Sequence, residues 1–224
     1  MSKDFFTVKA GSFTLLRNFS ASLLADSLQE KSFVKEFCVN VEEDQNLTFI
    51  TFSTTFYAFI NGIEIVSMPK DLYYSPKGTP DEKVPRNVDG RNEFYINYTS
   101  ALEMVFRLNV GGSLIRPIED KGFFREWYPD VRYFLPEGIP YRNSSFIPKY
   151  TEIPNYTALD DVYRTARFST DGKMTVPIGA IPDFYWKENL TWNLSVDSGL
   201  YLIRLHFCGI HFFWQQPIQY LYRE

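Results

Sequence analysis

Tyr57-Ala58-Phe59-Ile60-Asn61-Gly62-Ile63-Glu64-Ile65-Val66-Ser67 carries the clearest fold signal in this chain. Two apolar runs, rich in β-branched and aromatic side chains, flank the dipeptide Asn61-Gly62. Asn-Gly tolerates the positive φ angles that a tight hairpin turn requires. The stretch therefore predicts two strands joined by a hairpin turn, or by a tight loop between strands of different sheets. Both arrangements belong to a β protein.

Three further segments alternate apolar and polar side chains with the two-residue period of a strand. They are Phe33–Val41, Glu103–Val110 (which ends at Gly111-Gly112) and Leu200–Cys208. Aromatic residues make up 18% of the 224 residues, and such rings suit a pleated, half-buried surface. The 13 Pro and 12 Gly are spread along the chain, as in folds built from many short strands. We predict an all-β fold.

The region 115–161 differs from the rest because prolines interleave with aromatic residues. Proline at this density resists a central strand, and a flexible linker would be rich in Gly and Ser instead. We expect long loops packed onto a β body. The aromatic candidates for a platform that binds a sugar ring or a peptide are Tyr57, Trp127, Tyr128 and Tyr133. The alternative for these rings is burial, since large aromatic side chains commonly serve packing.

Glycosylation sequons are more frequent than composition explains. The content of Asn, Ser and Thr gives about two Asn-x-Ser/Thr triplets by chance, and the chain has seven. Such triplets are acceptors for N-linked glycans on surface loops of secreted proteins, so we predict an extracellular glycoprotein surface. Asn189 and Asn193 are only four residues apart, so one expectation is that only one of the two carries a glycan. The predicted sites are Asn18, Asn46, Asn97, Asn143, Asn155, Asn189 and Asn193.

Charge and hydropathy exclude several classes of function. The net charge is −4 with no stripe of Lys and Arg, so no nucleic-acid partner is expected. No apolar run approaches the roughly 20 residues that cross a bilayer, so direct membrane insertion is not expected. The segment Met1–Phe6 has no apolar core of a signal peptide. Together with the sequons, this predicts a fragment of a longer extracellular protein or a truncated gene product.

No catalytic residue and no cofactor are predicted. The chain has no Gly-x-Ser-x-Gly elbow, phosphate-binding glycine loop or kinase motif. A glycan-processing enzyme is the alternative, because paired carboxylates for glycoside hydrolysis are recognised by a spatial separation that a sequence does not reveal. Asp130 and Asp160-Asp161 are the nominal candidates, although acids in loops are usually solvated.

No metal site is predicted either. The cluster His206-x-Cys208-x-x-His211 lacks the fourth ligand of a closed zinc site, so a core thiol beside a hydrogen-bonded histidine is expected. The acidic run Glu42-Glu43-Asp44 lacks the regular ligand spacing of a calcium loop and is expected to be solvated. Cys38 and Cys208 are expected to be buried free thiols, and a disulfide between them is the open alternative.

Seven stretches occur in order between Phe6 and Cys208: Phe6–Ser22, Val34–Val41, Tyr57–Pro69, Arg107–Gly112, Thr165–Arg167, Asn189–Gly199 and Arg204–Cys208. Together they resemble the malectin-like ectodomains of plant receptor-like kinases related to FERONIA. The resemblance covers nearly the whole chain up to Cys208, and the residues after it depart from the family pattern.

The resemblance implies malectin-like β-sandwich lobes in tandem, both incomplete. The first lobe would be 1–100, without its N-terminal strands, and the second 101–224, without its C-terminal part and with the loop region 115–161. It further implies a non-catalytic recognition fragment, at the extracellular face of the plasma membrane in the full-length family. The implied partners are a secreted signalling peptide with a GPI-anchored co-receptor, and cell-wall carbohydrate such as pectin. A truncated gene product without activity is the alternative.

Overall fold

The computed structural model describes residues 4–43, 46–53, 57–80, 84–86, 92–135, 141–150, 154–168 and 189–209. The chain packs as two compact units, a first unit of Met1–Val105 and a second unit of Phe106–Glu224. Within the described residues there are nine strands and two short α-helices, so the predicted all-β class is confirmed. The division into tandem lobes at 100/101 stays a prediction.

The first unit is built on a three-stranded antiparallel sheet. Strand β1 (Phe6–Ala10) lies between β2 (Phe13–Phe19) and β4 (Phe49–Phe52). Gly11 takes the positive φ of 56° that the short turn between β1 and β2 requires. The alternate residues Phe6, Val8 and Ala10 are buried, as the two-residue period of a strand with one core face demands. Strand β1 is the central strand of the sheet because it pairs with β2 on one side and β4 on the other.

Helix α1 (Ala21–Leu28) follows β2 directly, and its boundaries have local causes. Ser20 is the N-cap, and its hydroxyl accepts a hydrogen bond from the backbone N–H of Leu23. Gln29 ends the helix in the left-handed conformation, which lets its N–H reach back to the carbonyls of the last turn. A second pairing, β3 (Phe37–Cys38) with β5 (Leu102–Glu103), is antiparallel and two residues long.

The second unit consists of short ladders around an aromatic core. Strand β6 (Leu108–Asn109) pairs in parallel with β7 (Tyr128–Pro129). Strand β8 (Tyr141–Asn143) pairs antiparallel with β9 (Thr165–Arg167), which follows helix α2 (Asp160–Arg164). Single 3-10 turns occur at Pro117–Glu119 and Asp130–Arg132. The core contains Ile115, Trp127, Ala158, Val162 and Tyr163.

The predicted hairpin at Tyr57–Ser67 is wrong in its geometry. The stretch carries no ladder, and Asn61-Gly62 forms a bend instead of a tight turn. A hairpin turn of the Asn-Gly type needs positive φ at both central residues, and neither residue has it. Without that turn, the two apolar runs do not face each other as paired strands.

The other predicted strands are shorter than their apolar patterns. Phe33–Val41 contributes only β3, and Val34 is 90% exposed, because the ladder with β5 extends over two residues. Glu103–Val110 is divided between β5 and β6. Leu200–Cys208 is not assigned as a strand, yet its side chains alternate, with Arg204, His206 and Cys208 on the more buried face. The predicted alternation of side chains in Leu200–Cys208 was therefore correct, although the segment forms no strand ladder.

Neither of the two α-helices in the described part of the chain has the length or the apolar run needed to span a bilayer.

Candidate functional site

A polar cleft of about 590 Å³ lies in the second unit. Its floor is the turn after β6, from Asn109 to Gly112, together with Asp130. One wall is the β8–β9 ladder, in which Tyr141 pairs with Arg167 and Asn143 with Thr165. Directly opposed residues of an antiparallel pair share one face, and all four of these residues line the cleft. We call this site the Asp130 cleft.

Two glycines permit close packing at the floor of the cleft. Gly111 has a positive φ of 70°, and a Cβ there would lie 2.9 Å from both the backbone of Ala166 and the Cβ of Tyr141. A Cβ on Gly112 would lie 2.2 Å from the amide nitrogen of the Asn109 side chain. Gly111 therefore makes room for β8 and β9, and Gly112 makes room for the side chain of Asn109.

Asp130 is fully buried and accepts hydrogen bonds from three different segments. The Arg167 Nε lies 2.6 Å from Oδ2 and one terminal guanidinium nitrogen 3.1 Å from Oδ1. The Trp192 indole N–H donates to Oδ2 at 2.9 Å, and the backbone N–H of Gly111 donates to Oδ1 at 3.1 Å. Burial alone raises the pKa of Asp130, but these bonds and the charge of Arg167 outweigh burial and hold the pKa below its usual value.

Asp130 and the other nominal acids are thus engaged in structural bonds. Asp160 accepts a hydrogen bond from the Tyr150 hydroxyl at 2.5 Å, and its other oxygen lies 3.4 Å from the Arg164 guanidinium. Asp161 is exposed and pairs with Arg164 at 3.0 Å. An acid that is saturated by donors is a poor proton donor or base, so the cleft is better suited to binding polar groups than to acid–base chemistry.

A second buried ion pair organises the core beside Trp127. The Arg125 Nε lies 2.5 Å from Asp120 Oδ2, and both side chains are almost fully buried. The guanidinium also donates to the carbonyls of Thr157 at 2.9 Å and Tyr156 at 3.1 Å. Arg125 therefore links three segments of the loop region 115–161.

The predicted aromatic platform is dispersed over several environments. Trp127 is only 4% exposed, with the guanidinium groups of Arg107 and Arg125 over its ring, so its face does not offer a stacking surface. Tyr128 is 51% exposed, while Tyr133 is half-buried against Phe106. Tyr57 is 79% exposed but belongs to the first unit. The role of these tyrosines in ligand binding stays a prediction.

All seven predicted glycosylation asparagines are exposed. At Asn97 the side-chain oxygen accepts hydrogen bonds from the backbone N–H and the hydroxyl of Thr99, which leaves the amide nitrogen to be modified. Asn189 and Asn193 lie on either side of Trp192, which forms an isolated antiparallel β-bridge with Phe134. Both asparagines are exposed. Exposure is the condition that a folded glycoprotein must meet at each modified residue.

The histidine and the cysteines lie in packed surroundings. His206 packs edge-on against Trp127 and Tyr163, and its Nδ1 lies 3.1 Å from the Tyr163 hydroxyl. Both cysteines are free thiols, and burial raises the pKa of each. Within the described ranges, no three His, Cys, Asp or Glu side chains converge as ligands for a metal ion. His211 and Asp44 lie outside the described residues.

Stability of the second unit is expected to fall between about pH 6.5 and about pH 4 because of His206. Burial, followed by the charges of Arg204, Arg125 and Arg107, lowers the pKa of His206 to about 4. An unfolded histidine titrates near about 6.5, so only the unfolded state takes up a proton as the pH falls below that value. The stabilisation is complete above about pH 6.5, and about 1–3 kcal/mol of it is lost on approaching pH 4.

The measurement is urea denaturation followed by tryptophan fluorescence, since all four tryptophans belong to the second unit. His206→Phe removes the titrating group and keeps an aromatic ring in the core. We expect a shallower pH dependence for the variant, and identical pH profiles for both proteins would contradict the assignment to His206.

The short strands, the buried ion pairs and the polar cleft define a class of protein: an all-β domain with long loops packed around an aromatic core. A family model described as Malectin-like domain matches residues 6–216. The chain belongs to the malectin-like domain family, and the resemblance found in its seven stretches is confirmed. The match continues past Cys208 to residue 216, so the expected departure from the family pattern directly after Cys208 is wrong.

Similar proteins are plant receptor-like kinases. The receptor-like protein kinase FERONIA of Arabidopsis thaliana is 41% identical over 217 residues, which cover 93% of this chain and 23% of that protein. The chain matched in the crystal structure of the plant peptide RALF23 in complex with FER and LLG2 is 38% identical, with a TM-score of 0.75 over 94% of this chain and 53% of that one.

A third match is the extracellular domain of ANXUR1 from Arabidopsis thaliana, which is 32% identical. Its TM-score is 0.61, over 74% of this chain and 43% of that chain. The present chain thus spans about a quarter of the length of FERONIA, 23%, and about half of the chain in the RALF23 complex, 53%.

Proposed function

We propose that this chain is part of an extracellular, non-catalytic receptor segment that recognises a secreted signalling peptide together with a GPI-anchored co-receptor. The observation that carries the proposal is the similarity to the FER structure solved with RALF23 and LLG2, with a TM-score of 0.75 over 94% of this chain. The seven exposed sequon asparagines support the extracellular placement.

The loop region 115–161 offers side chains suited to peptide contact. Ile118, Phe124, Tyr128, Val131 and Leu135 are all exposed within it. Exposed aromatic and aliphatic side chains beside a rigid core provide the apolar anchors that peptide interfaces use. The buried Asp120–Arg125 pair, whose guanidinium also donates to the carbonyls of Tyr156 and Thr157, ties the backbone beside Phe124 to the core.

The experiment is binding of synthetic RALF23 peptide to the secreted chain, with and without LLG2, by biolayer interferometry. Tyr128→Ala is expected to weaken binding by about tenfold or more, as the loss of an aromatic anchor does. Tyr201→Ala is the matched control, because Tyr201 is an exposed tyrosine outside the loop region. Absence of peptide binding in both conditions, from a protein that unfolds cooperatively, would refute the proposal.

Pectin binding and glycan processing stay predictions from the sequence. Oligogalacturonide used as a second probe in the same assay separates carbohydrate recognition from peptide recognition. Release of shorter oligosaccharides from that probe would instead support the enzyme alternative.

A further inference from the structure

Strand β8 places an aromatic ring and a glycosylation asparagine side by side at the Asp130 cleft. Tyr141 and Asn143 are two residues apart, so they lie on the same face of the strand. Both are exposed and both line the cleft, with Tyr141 64% exposed. In Asn143-Ser144-Ser145 the first residue is the acceptor of an N-linked glycan.

The Tyr141 side chain starts from a fixed position. Its Cβ lies over Gly111, where an added Cβ would meet it at 2.9 Å. Across the ladder it faces Arg167, whose guanidinium is held by the buried carboxylate of Asp130. The backbone beneath the ring is therefore packed against the floor of the cleft, and the exposed ring itself lines the cleft. A rigid aromatic face at low entropic cost is what the apolar side of a sugar ring packs against.

The cleft has the size and the chemistry for a hexosamine. Its volume of about 590 Å³ lies within the range of small-molecule sites, about 300–1,000 Å³. The exposed Ser113 hydroxyl lines it and can hydrogen-bond to hydroxyl and acetamide groups. The Thr165 hydroxyl donates to Asn109 at 2.8 Å and can still accept a hydrogen bond from a sugar hydroxyl. A sugar attached to Asn143 is delivered to this cleft at the high effective concentration of an intramolecular ligand.

We propose that the Asp130 cleft binds the chain's own N-glycan. The first N-acetylglucosamine on Asn143 packs against Tyr141. The proposal rests on the extracellular placement under the proposed function. In this arrangement the sugar covers the ring, joins β8 to the floor of the cleft and closes the cleft to soluble ligands. The glycan at Asn143 is then a structural part of the second unit.

The test is a double-mutant cycle on the full chain, secreted from a eukaryotic host with an added leader. Ser145→Ala removes the glycan and keeps Asn143, and Tyr141→Ala removes the ring. We expect Ser145→Ala to lower the folding equilibrium constant about two- to tenfold when Tyr141 is present and by less than twofold when it is absent. Asn155→Gln is the control, because this exposed sequon does not line the cleft.

Endoglycosidase trimming adds a second readout. Trimming each glycan to one N-acetylglucosamine is expected to leave the stability unchanged, since only the first sugar touches Tyr141. Equal effects of Ser145→Ala in both backgrounds would overturn the proposal, as would loss of the stabilisation on trimming. An unoccupied Asn143 beside other occupied sequons also overturns it, while peptide binding, scored separately, decides the proposed function.

Discussion

Asp130→Ala is expected to lower the free energy of unfolding of the second unit by about 3–5 kcal/mol. The carboxylate accepts hydrogen bonds from Arg167, Trp192 and the backbone of Gly111, and all three donors lose this acceptor at once. The Arg167 guanidinium is only 10% exposed, and we expect the loss of its buried charge pair with Asp130 to account for most of the effect. Urea denaturation followed by tryptophan fluorescence measures it.

Asp130→Asn tests whether the charge or the shape matters. The amide keeps the volume but presents an N–H₂ group to donors, so we expect a loss close to that of alanine. Asp161→Asn is the surface control, because Asp161 is exposed and its pair with Arg164 is worth at most about 1 kcal/mol. A change below 1 kcal/mol for both Asp130 variants would show that the network does not hold the unit together.

Because of the same carboxylate, we expect the free energy of unfolding of the second unit to fall at low pH. Because the folded-state pKa of Asp130 lies below its usual value, its stabilisation is complete above the unfolded pKa of about 3.9. It is lost as the pH falls through the folded-state pKa. The Asn variant lacks this acid-dependent loss, so the unfolding free energies of variant and wild type should converge at the lowest pH.

Arg125→Met is expected to destabilise the second unit by a similar amount, about 3–5 kcal/mol. Asp120 would be left as a buried carboxylate, and the carbonyls of Tyr156 and Thr157 would lose their shared donor. Hydrogen exchange should increase at 154–158 first, because those carbonyls hold that loop to the core. Denaturation by urea gives the free energy, and exchange mass spectrometry locates the opening.

Arg125→Lys is the sharper variant for this site. Lysine keeps the charge but lacks the planar fork that contacts a carboxylate and two carbonyls together, so we expect it to recover less than half of the loss. Arg132→Met provides the matched control, because Arg132 is exposed and its removal should change stability by no more than about 0.5 kcal/mol. Full stability of the lysine variant would contradict a role for the fork geometry.

Much of the fold class was accessible from local patterns. Period-two alternation in Leu200–Cys208 correctly placed His206 and Cys208 on one face, and most of the described residues in 115–135, 141–150 and 154–161 lie outside helices and strands. Ladder lengths were not accessible, because a ladder depends on the partner strand as much as on the strand itself. Val34 is an example: its β-branched side chain favours a strand, but the residue lies outside the β3–β5 pairing and is 90% exposed.

The site was only partly visible in the sequence. Asp130 was named as a nominal acid, and Arg167 appeared only within the Thr-Ala-Arg stretch, without a role. The pair Asp120–Arg125 was missed, although an acid five residues before an arginine in an aromatic loop is the one local signal for it. Long-range pairs such as Asp130 with Trp192, 62 residues apart, leave no local signal.

The amino-acid sequence by itself determined the all-β class and the positions of the seven sequons, because composition, periodicity and short motifs are local properties. The resemblance of seven stretches to known ectodomains indicated the family. Only the tertiary structure decided that Asp130 is a buried acceptor instead of a candidate catalyst, that Trp127 is a core residue, and that Tyr141 and Asn143 share a cleft. The reason is physical: burial and the approach of distant donors set the role of a polar or aromatic side chain, and both depend on how the loops pack.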